Sequence, residues 1–551
     1  MDHPPDPPWW RNAAIYQIYP RSFLDTNGDG IGDLAGVTAR LDYVQELGFD
    51  AVWLSPFFAS PQQDWGYDVS DYYAVAPEYG ALRDVEELLA EAHRRGLRVL
   101  FDLVLNHTSD QHPWFQESQS SRHNAKRDWY IWRDGRGRRP PNNWKAMPGG
   151  SAWHYHEDTE QWYYAGFLPF QPDLNYRNPA VKAAMLDVVR YWLDKGVDGF
   201  RLDIFHAIFE DDRLRNNPFS WRYFPSDSEP GFFQQWVYNL HRPETIAFAR
   251  ELRALVDSYS PDRLLLGEVF GDHDTVKRYL GEPPDGLHLI FLWDLLRFQP
   301  TARFFRDLLR RTEKLYPTPY VPTYVLGNHD RQRVLSRIGG DLRLMKLLAL
   351  IQFTARGVPV TYYGEEIGMV EAHLPAKTAK DPLGRRYGWI PQIVLDALGI
   401  YVNRDGCRTP MQWNPEACAG FCSQEAVPWL PVSPGFVSTN VEMQENQPGS
   451  LLQLYQDVLA LRRANQALRV GDLRLLDGPE CPDDVLAYAR QAQDQRALVL
   501  LNFGKERRLF HNTTGCRHVL LAIDNEAAVA SETVSLPPLS GMILGDRGSA
   551  A

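Results

Sequence analysis

Eight short apolar runs, at 14–20, 50–55, 98–106, 199–205, 264–270, 287–293, 324–330 and 358–363, recur along the chain with helical patterning between them. In 85–95, Val85, Leu88, Leu89 and Ala92 fall on one helical face, and Gly96 follows as a stop. In 179–195, Val181, Met185, Val188, Val189 and Trp192 do the same ahead of Gly196. Runs this short and this apolar, alternating with amphipathic helices, predict an α/β fold: a closed parallel (β/α)8 TIM barrel. Two regions break the rhythm. Residues 107–178 are polar and aromatic and too long for a plain loop, which predicts a small inserted domain after the third strand. Beyond 464, short runs at 483–490, 497–503, 518–523 and 533–536 predict a C-terminal antiparallel β-sandwich domain. The expected division is barrel 1–106 and 179–464, inserted domain 107–178, and C-terminal domain 465–551.

At 551 residues the chain exceeds one ordinary core, in keeping with that division. A formal charge of −12 argues against nucleic acid or an anionic membrane as partner. The first ten residues hold neither a basic stretch nor an apolar core, so no signal peptide and no membrane span are expected. Five cysteines, odd in number and widely spaced, fit a reducing compartment, and the protein is expected to be cytoplasmic, as monomer or homodimer. Cys418-x-x-x-Cys422 has no second pair or histidine cluster to complete a zinc site.

The chemistry-bearing residues gather at the ends of the apolar runs. In Gly199-Phe-Arg201-Leu-Asp203-Ile204 a strand would turn Arg201 and Asp203 to one face and Phe200, Leu202 and Ile204 to the other. A buried Arg and Asp are costly unless paired or used, and in isolation an ion pair would explain them. Two more acidic run ends follow, however: Glu268 in Leu-Gly-Glu-Val and Asp330 in Gly-Asn328-His329-Asp330. By period-two alternation Asp102 shares a face with Asn106, and Asn328 with Asp330. Barrels of this kind carry their chemistry at the C-terminal ends of the strands, so three carboxylates placed there point to an enzyme.

The ordered blocks Asp102-Leu-Val-Leu-Asn106-His107, Gly199-Phe-Arg-Leu-Asp203, Glu268 and Asn328-His-Asp330 resemble those of the α-amylase family of glycoside hydrolases, over roughly 10–536. Gln171-Pro-Asp-Leu-Asn175 and Arg404-Asp-Gly-Cys-Arg408-Thr-Pro-Met-Gln-Trp413 resemble its α-glucosidase and oligo-1,6-glucosidase branch. The resemblance implies a retaining, exo-acting α-glucosidase on short α-glucosides, with sugars or alcohols as glucosyl acceptors. It assigns Asp203 as nucleophile, Glu268 as general acid and then base, and Asp330 as the grip on the sugar's 2- and 3-hydroxyls. Arg201 is expected to keep Asp203 ionised, while Glu268 holds its proton near neutrality. Asp64, Tyr67 and Arg408 are expected to close the pocket around the glucose 4-hydroxyl. His107 and His329 would donate to sugar hydroxyls, with Phe167 and Gln171 as a wall from the inserted domain.

Residues Asp25, Asn27, Asp29, Ile31 (through its carbonyl) and Asp33 follow the start of a calcium loop, with Gly36 where such a loop ends in Glu. The resemblance implies a structural Ca2+, or Mg2+, there; an ion-free loop of Asx turns is the alternative.

Departures from the family pattern bear on specificity. Pro148 stands where the branch usually has Phe, with Met147 as a substitute wall, and Ile204 leaves the choice between α-1,4 and α-1,6 linkages open. Phe219, Trp221, Tyr223 and Phe224 would either form an acceptor platform or pack a surface loop. The insertion 372–403 is expected to rim the entrance. The same triad would serve a trehalose synthase or sucrose isomerase. Gln171 argues against the first, and Arg331-Gln-Arg333 after Asp330, lacking a charged Arg-Leu-Asp-Arg-Asp-like loop, against the second. A non-catalytic transporter subunit of this fold would carry a membrane anchor and lose the carboxylates.

Overall fold

A computed structural model describes residues 7–222, 231–397, 400–478 and 481–546. Its eight barrel strands coincide with the eight apolar runs: β1 (Ile15–Ile18), β2 (Ala51–Leu54), β3 (Arg98–Leu103), β4 (Gly199–Leu202), β5 (Leu264–Gly267), β6 (Leu289–Ile290), β7 (Thr323–Val325) and β8 (Val358–Tyr362). They pair in parallel in the order β6-β5-β4-β3-β2-β1-β8-β7. A side chain spans the remaining seam, since Thr323 Oγ1 accepts from Leu292 N (3.0 Å) and donates to Ile290 O (2.8 Å). The barrel interior is packed with Ile15, Trp53, Leu100, Leu264, Leu266, Phe291, Val325 and Val360. Such a barrel is a core and not a pore, which confines chemistry to its rim.

The predicted helices form with their stops in place. Leu82–Arg94 buries Val85, Leu88, Leu89 and Ala92, and Gly96 at φ +74° lets Leu97 N return to Ala92 O (2.9 Å). Pro179–Asp194 ends likewise, with Gly196 at φ +97°.

Between β3 and β4 the chain builds a three-stranded antiparallel sheet, Trp132–Arg133, Gln161–Tyr164 and Trp153–His156, around Trp144, Trp153 and Tyr164. After the barrel, a five-stranded antiparallel sheet faces a three-stranded one. Alternation along its strands assigns the two faces. Val485, Ala487, Leu498 and Leu500 meet Phe510, Val534 and Leu536 of the smaller sheet. Leu486, Tyr488, Val499 and Leu501 join the main core against the barrel, where the Tyr488 hydroxyl reaches Thr354 Oγ1 at 2.5 Å. Among the described residues no helix is long and apolar enough to cross a membrane.

The strands stop earlier than the apolar runs. β3 ends at Leu103, β4 at Leu202 and β7 at Val325, so alternation does not carry through to Asn106, Ile204 or Asp330. Turns take over there. Asn328 Oδ1 accepts from Asp330 N (3.0 Å), and Ile204 adopts the left-handed region (φ +38°, ψ +40°).

Candidate active site

Two strand ends bring the first carboxylates together. Asp203 directly follows β4 and Glu268 directly follows β5, and these strands pair in register, with Arg201 opposite Leu266. Arg201 also stands opposite Asp102 of β3. Its buried guanidinium is shared three ways: Nη1 reaches Asp102 Oδ1 and Asp203 Oδ1, each at 2.8 Å, and Nη2 reaches Glu268 Oε2 at 2.7 Å. The same Glu268 oxygen accepts from the backbone N–H of Ile204 (3.0 Å).

One cation among three buried carboxyl groups cannot neutralise them all. Burial pushes Glu268 up to about 7 and Asp203 also to about 7, in each case against the pull of Arg201. Burial likewise lifts Asp102 to about 6. Raised Glu268 agrees with expectation. Raised Asp203 corrects it, because Arg201 is divided among three anions and does not hold Asp203 alone in its ionised form. The cluster therefore retains protons near neutrality, and its groups titrate together.

Asp330 lies in the opposite electrostatic setting. Burial would raise it, but Arg404 Nη1 (3.0 Å) and Arg408 Nη2 (2.9 Å) both converge on its Oδ1 and hold it well below the usual carboxylate range. His329 stays neutral, burial lowering it to about 3. With the Gln17 amide nitrogen 2.8 Å from Nδ1, the His329 proton belongs on Nε2, which faces Tyr67 Oη (2.5 Å) and Asp330 Oδ2 (3.3 Å). Tyr67 in turn donates to Asp102 Oδ2 (3.1 Å).

These groups surround a cavity of about 270 Å3. Asp203, Glu268 and Asp330 are on its wall, as are Asp64, Tyr67 and His107 from the barrel side and Phe167 and Gln171 from the inserted sheet region. His107 contacts the Tyr67 carbonyl (3.2 Å) and is lowered by burial to about 4, which leaves it neutral. Asp64 Oδ2 accepts from Gln171 Nε2 (3.2 Å), which joins the barrel side of the wall to the inserted region.

Three expected contact residues stand behind the wall. Arg201 is buried among the carboxylates, His329 is enclosed against Tyr67 and Asp330, and Arg408 is fully buried, donating to the His329 carbonyl (2.8 Å). The guanidinium beside Asp64 is instead that of Arg404, whose Nη2 lies 2.8 Å from Asp64 Oδ1. Arg404 opens a single 3-10 turn, Arg404–Cys407, and Arg408 follows it, and nothing in their spacing tells which one faces the cavity. Only the packing of that turn decides it.

Met147 is on the wall and Pro148 is not; the Pro148 carbonyl accepts from the Tyr387 hydroxyl of the insertion. Leu383, Tyr401 and Val402 of the insertion also line the cavity. Residues missed in the sequence include Phe270 and Trp293, a stacked pair at 4.8 Å that forms one side. Their apolar runs marked them only as core. Phe219 and Trp221 are exposed and away from the cavity wall, while Tyr223 and Phe224 lie outside the described residues.

The expected ion loop is ordered by its own side chains. Asp25 accepts from the N–H of Asn27, Gly28 and Gly30 (3.0, 2.7 and 2.8 Å), Asn27 from Asp29 (2.9 Å), and Asp29 from Ile31 (2.8 Å). Asp33 accepts from Thr26 N (2.9 Å) and caps the helix Leu34–Ala39 through Gly36 N (2.6 Å). Among the described residues no three His, Cys, Asp or Glu side chains gather to hold a metal ion. The fit is in donor chemistry: carboxylate, amide and carbonyl oxygens only, the set a hard cation takes.

A parallel barrel with carboxyl groups sharing protons at the bottom of a rim pocket has the equipment of a glycoside hydrolase. Residues 17–471 match the family model of the alpha amylase catalytic domain. A probable alpha-glucosidase of Rhizobium meliloti (strain 1021) is 43% identical over 516 residues, covering 91% of this chain and 90% of the relative. Among solved structures, an alpha-glucosyl transfer enzyme, XgtA, superposes with a TM-score of 0.87 at 38% identity, covering 98% of this chain and all of that one. A trehalulose synthase superposes with 0.88 at 33% identity, with the same coverage. The chain belongs to the α-amylase family of glycoside hydrolases, as its motifs implied.

Proposed function

We propose that this protein is a retaining, exo-acting α-glucosidase for short α-glucosides that also passes glucose to sugar or alcohol acceptors. The observation that carries the reading is the pair Asp203 and Glu268 on adjacent nitrogens of Arg201, in a cavity on whose wall Asp64 is bonded to both Arg404 and Gln171. A shared guanidinium favours the short carboxyl separation, about 5 Å, that retention uses. A wall linked side chain to side chain through Asp64, Arg404 and Gln171 suits a pocket that takes one terminal glucose.

In this mechanism Asp203 attacks the anomeric carbon while Glu268 protonates the departing oxygen. The bond to the aglycone breaks as the bond to Asp203 forms. Glu268, now ionised, takes a proton from water or from an acceptor hydroxyl, which displaces Asp203 with a second inversion. Asp330, kept ionised by Arg404 and Arg408, holds ring hydroxyls more tightly as the ring flattens toward an oxocarbenium ion. In the reactive form a proton belongs on Glu268 and the negative charge on Asp203.

We also propose that the 25–33 loop takes a structural calcium or magnesium ion through the oxygens of Asp25, Asn27, Asp29, Ile31 and Asp33, with no part in the chemistry.

The test is anomer-resolved NMR with maltose, isomaltose, sucrose and trehalose supplied separately. Release of α-glucose supports the reading, and β-glucose overturns retention. The structural likeness to a trehalulose synthase favours a second reading, sucrose isomerisation, in which fructose stays in the site and is re-glucosylated. Conversion of sucrose to an isomer without free glucose would establish it.

A further inference from the structure

The insertion 372–403 carries a buried carboxylate, Asp381, that reaches the cavity only through another residue. Its Oδ1 accepts from Arg404 Nη2 (2.6 Å) and Nε (3.1 Å), and its Oδ2 from the Arg404 backbone N–H (2.8 Å). The hold is reciprocal. Asp405, next to Arg404, accepts from the backbone N–H of Lys380 (2.6 Å) and of Asp381 (3.0 Å). Two aspartates thus staple the insertion to the 3-10 turn that presents Arg404.

A guanidinium has five N–H donors in one plane. Asp381 takes the Nε–H and one Nη2–H, Asp64 takes the other Nη2–H (2.8 Å), and Asp330 takes one Nη1–H (3.0 Å). One Nη1–H remains. A bidentate carboxylate on the Nε edge sets the plane of the guanidinium and so the direction of that last donor. Arg404 lines the cavity beside Asp64, the residue expected from the sequence at the glucose 4-hydroxyl.

We propose that Asp381 is a positioning residue: it orients Arg404 so that the remaining N–H addresses the 4-hydroxyl of the bound glucose. The insertion is thereby part of the recognition of the sugar end as well as the rim of the pocket. Both side chains keep the required charges. Burial works against the Asp381 anion, but Arg404 and Arg408 hold it below its usual range.

The proposal rests on the α-glucosidase reading, and the experiment separates the two. Initial rates are measured for the wild type and Asp381→Asn on an aryl α-glucoside and on its 4-deoxy analogue. A hydrogen bond from a charged donor predicts that removing the 4-hydroxyl lowers wild-type kcat/KM by about 10- to 100-fold. In Asp381→Asn the parent glucoside should lose kcat/KM, mainly through KM, while the 4-deoxy penalty shrinks to about 3-fold or less. A merely structural role would lower both substrates alike; an unchanged ratio overturns the proposal, as does the absence of a wild-type penalty. Asp381→Glu keeps the charge but displaces Arg404 by a methylene, so the 4-deoxy penalty must shrink there too if Asp381→Asn does not fold. Wild-type failure to turn over the parent glucoside would overturn the functional reading, and this proposal with it.

Discussion

The backbone N–H of Ile204 lies 3.0 Å from Oε2 of Glu268, and Ile204 reaches that position in the left-handed backbone region at φ +38°. A β-branched residue pays roughly 1–2 kcal/mol to stand there. Its side chain packs with Ala207, Trp236 and Leu240, which offsets the strain.

A strain of that kind is measurable. Ile204→Ala removes the packing and keeps the strained φ; Ile204→Gly removes both. Both variants should be destabilised, but the glycine variant should be the more stable of the two by about 1 kcal/mol, the reverse of the usual order. Denaturant unfolding would show it, and an alanine variant as stable as the glycine variant would remove the strain from the account.

Asp203→Ala should reduce kcat on maltose by three orders of magnitude or more, with the circular dichroism spectrum unchanged. Glu268→Gln should lose about 100- to 10,000-fold, the range of general acid catalysis. Loss should be far smaller on α-glucosyl fluoride, whose leaving group needs no proton. Equal losses on both substrates would take the acid role from Glu268.

The raised carboxyl groups set a pH profile. In the proposed mechanism Asp203 loses a proton and Glu268 keeps one, and both stand near 7, so kcat/KM should follow a narrow bell close to neutrality. The alkaline limb should vanish for Glu268→Gln on α-glucosyl fluoride. Stability has a definite sign as well. A carboxyl raised in the folded state makes the fold bind more protons than the unfolded chain between about 4.5 and 7, so its stabilising effect is complete below that window and lost across it. The Tm of Glu268→Gln should therefore gain on the wild type as pH rises from about 5 to 8. A gap that stays constant would contradict the raised carboxyl.

For the 25–33 loop, a bound ion at 100 times its Kd adds about 2.7 kcal/mol. Removing it with EDTA should lower Tm by about 2–5 °C in a chain of this size, and excess Ca2+ should restore it. Inductively coupled plasma analysis of the purified protein checks occupancy independently. An unchanged Tm together with no bound metal would leave the loop to its Asx turns.

The barrel was legible because burial on both faces demands apolar runs and amphipathic helices, and those patterns are local. Seven of the eight strands fall inside the runs at 14–20 through 358–363, and β7 starts one residue ahead of its run, at Thr323. The carboxylates were legible for a related reason: Asp203 and Glu268 sit directly after strand ends and Asp330 in the turn that follows β7, where position in the chain nearly dictates position on the rim. Strand length was not legible, since a turn after Val325 or Leu202 uses the same residue types as a continuing strand. Which of Arg404 and Arg408 faces the cavity, the division of Arg201 among Asp102, Asp203 and Glu268, and the pairing of Asp381 with Arg404 belonged to tertiary structure alone. Each depends on groups brought together from separate segments. The charge of a buried group is set by the sum of those neighbours and by the water they exclude, which no local pattern encodes.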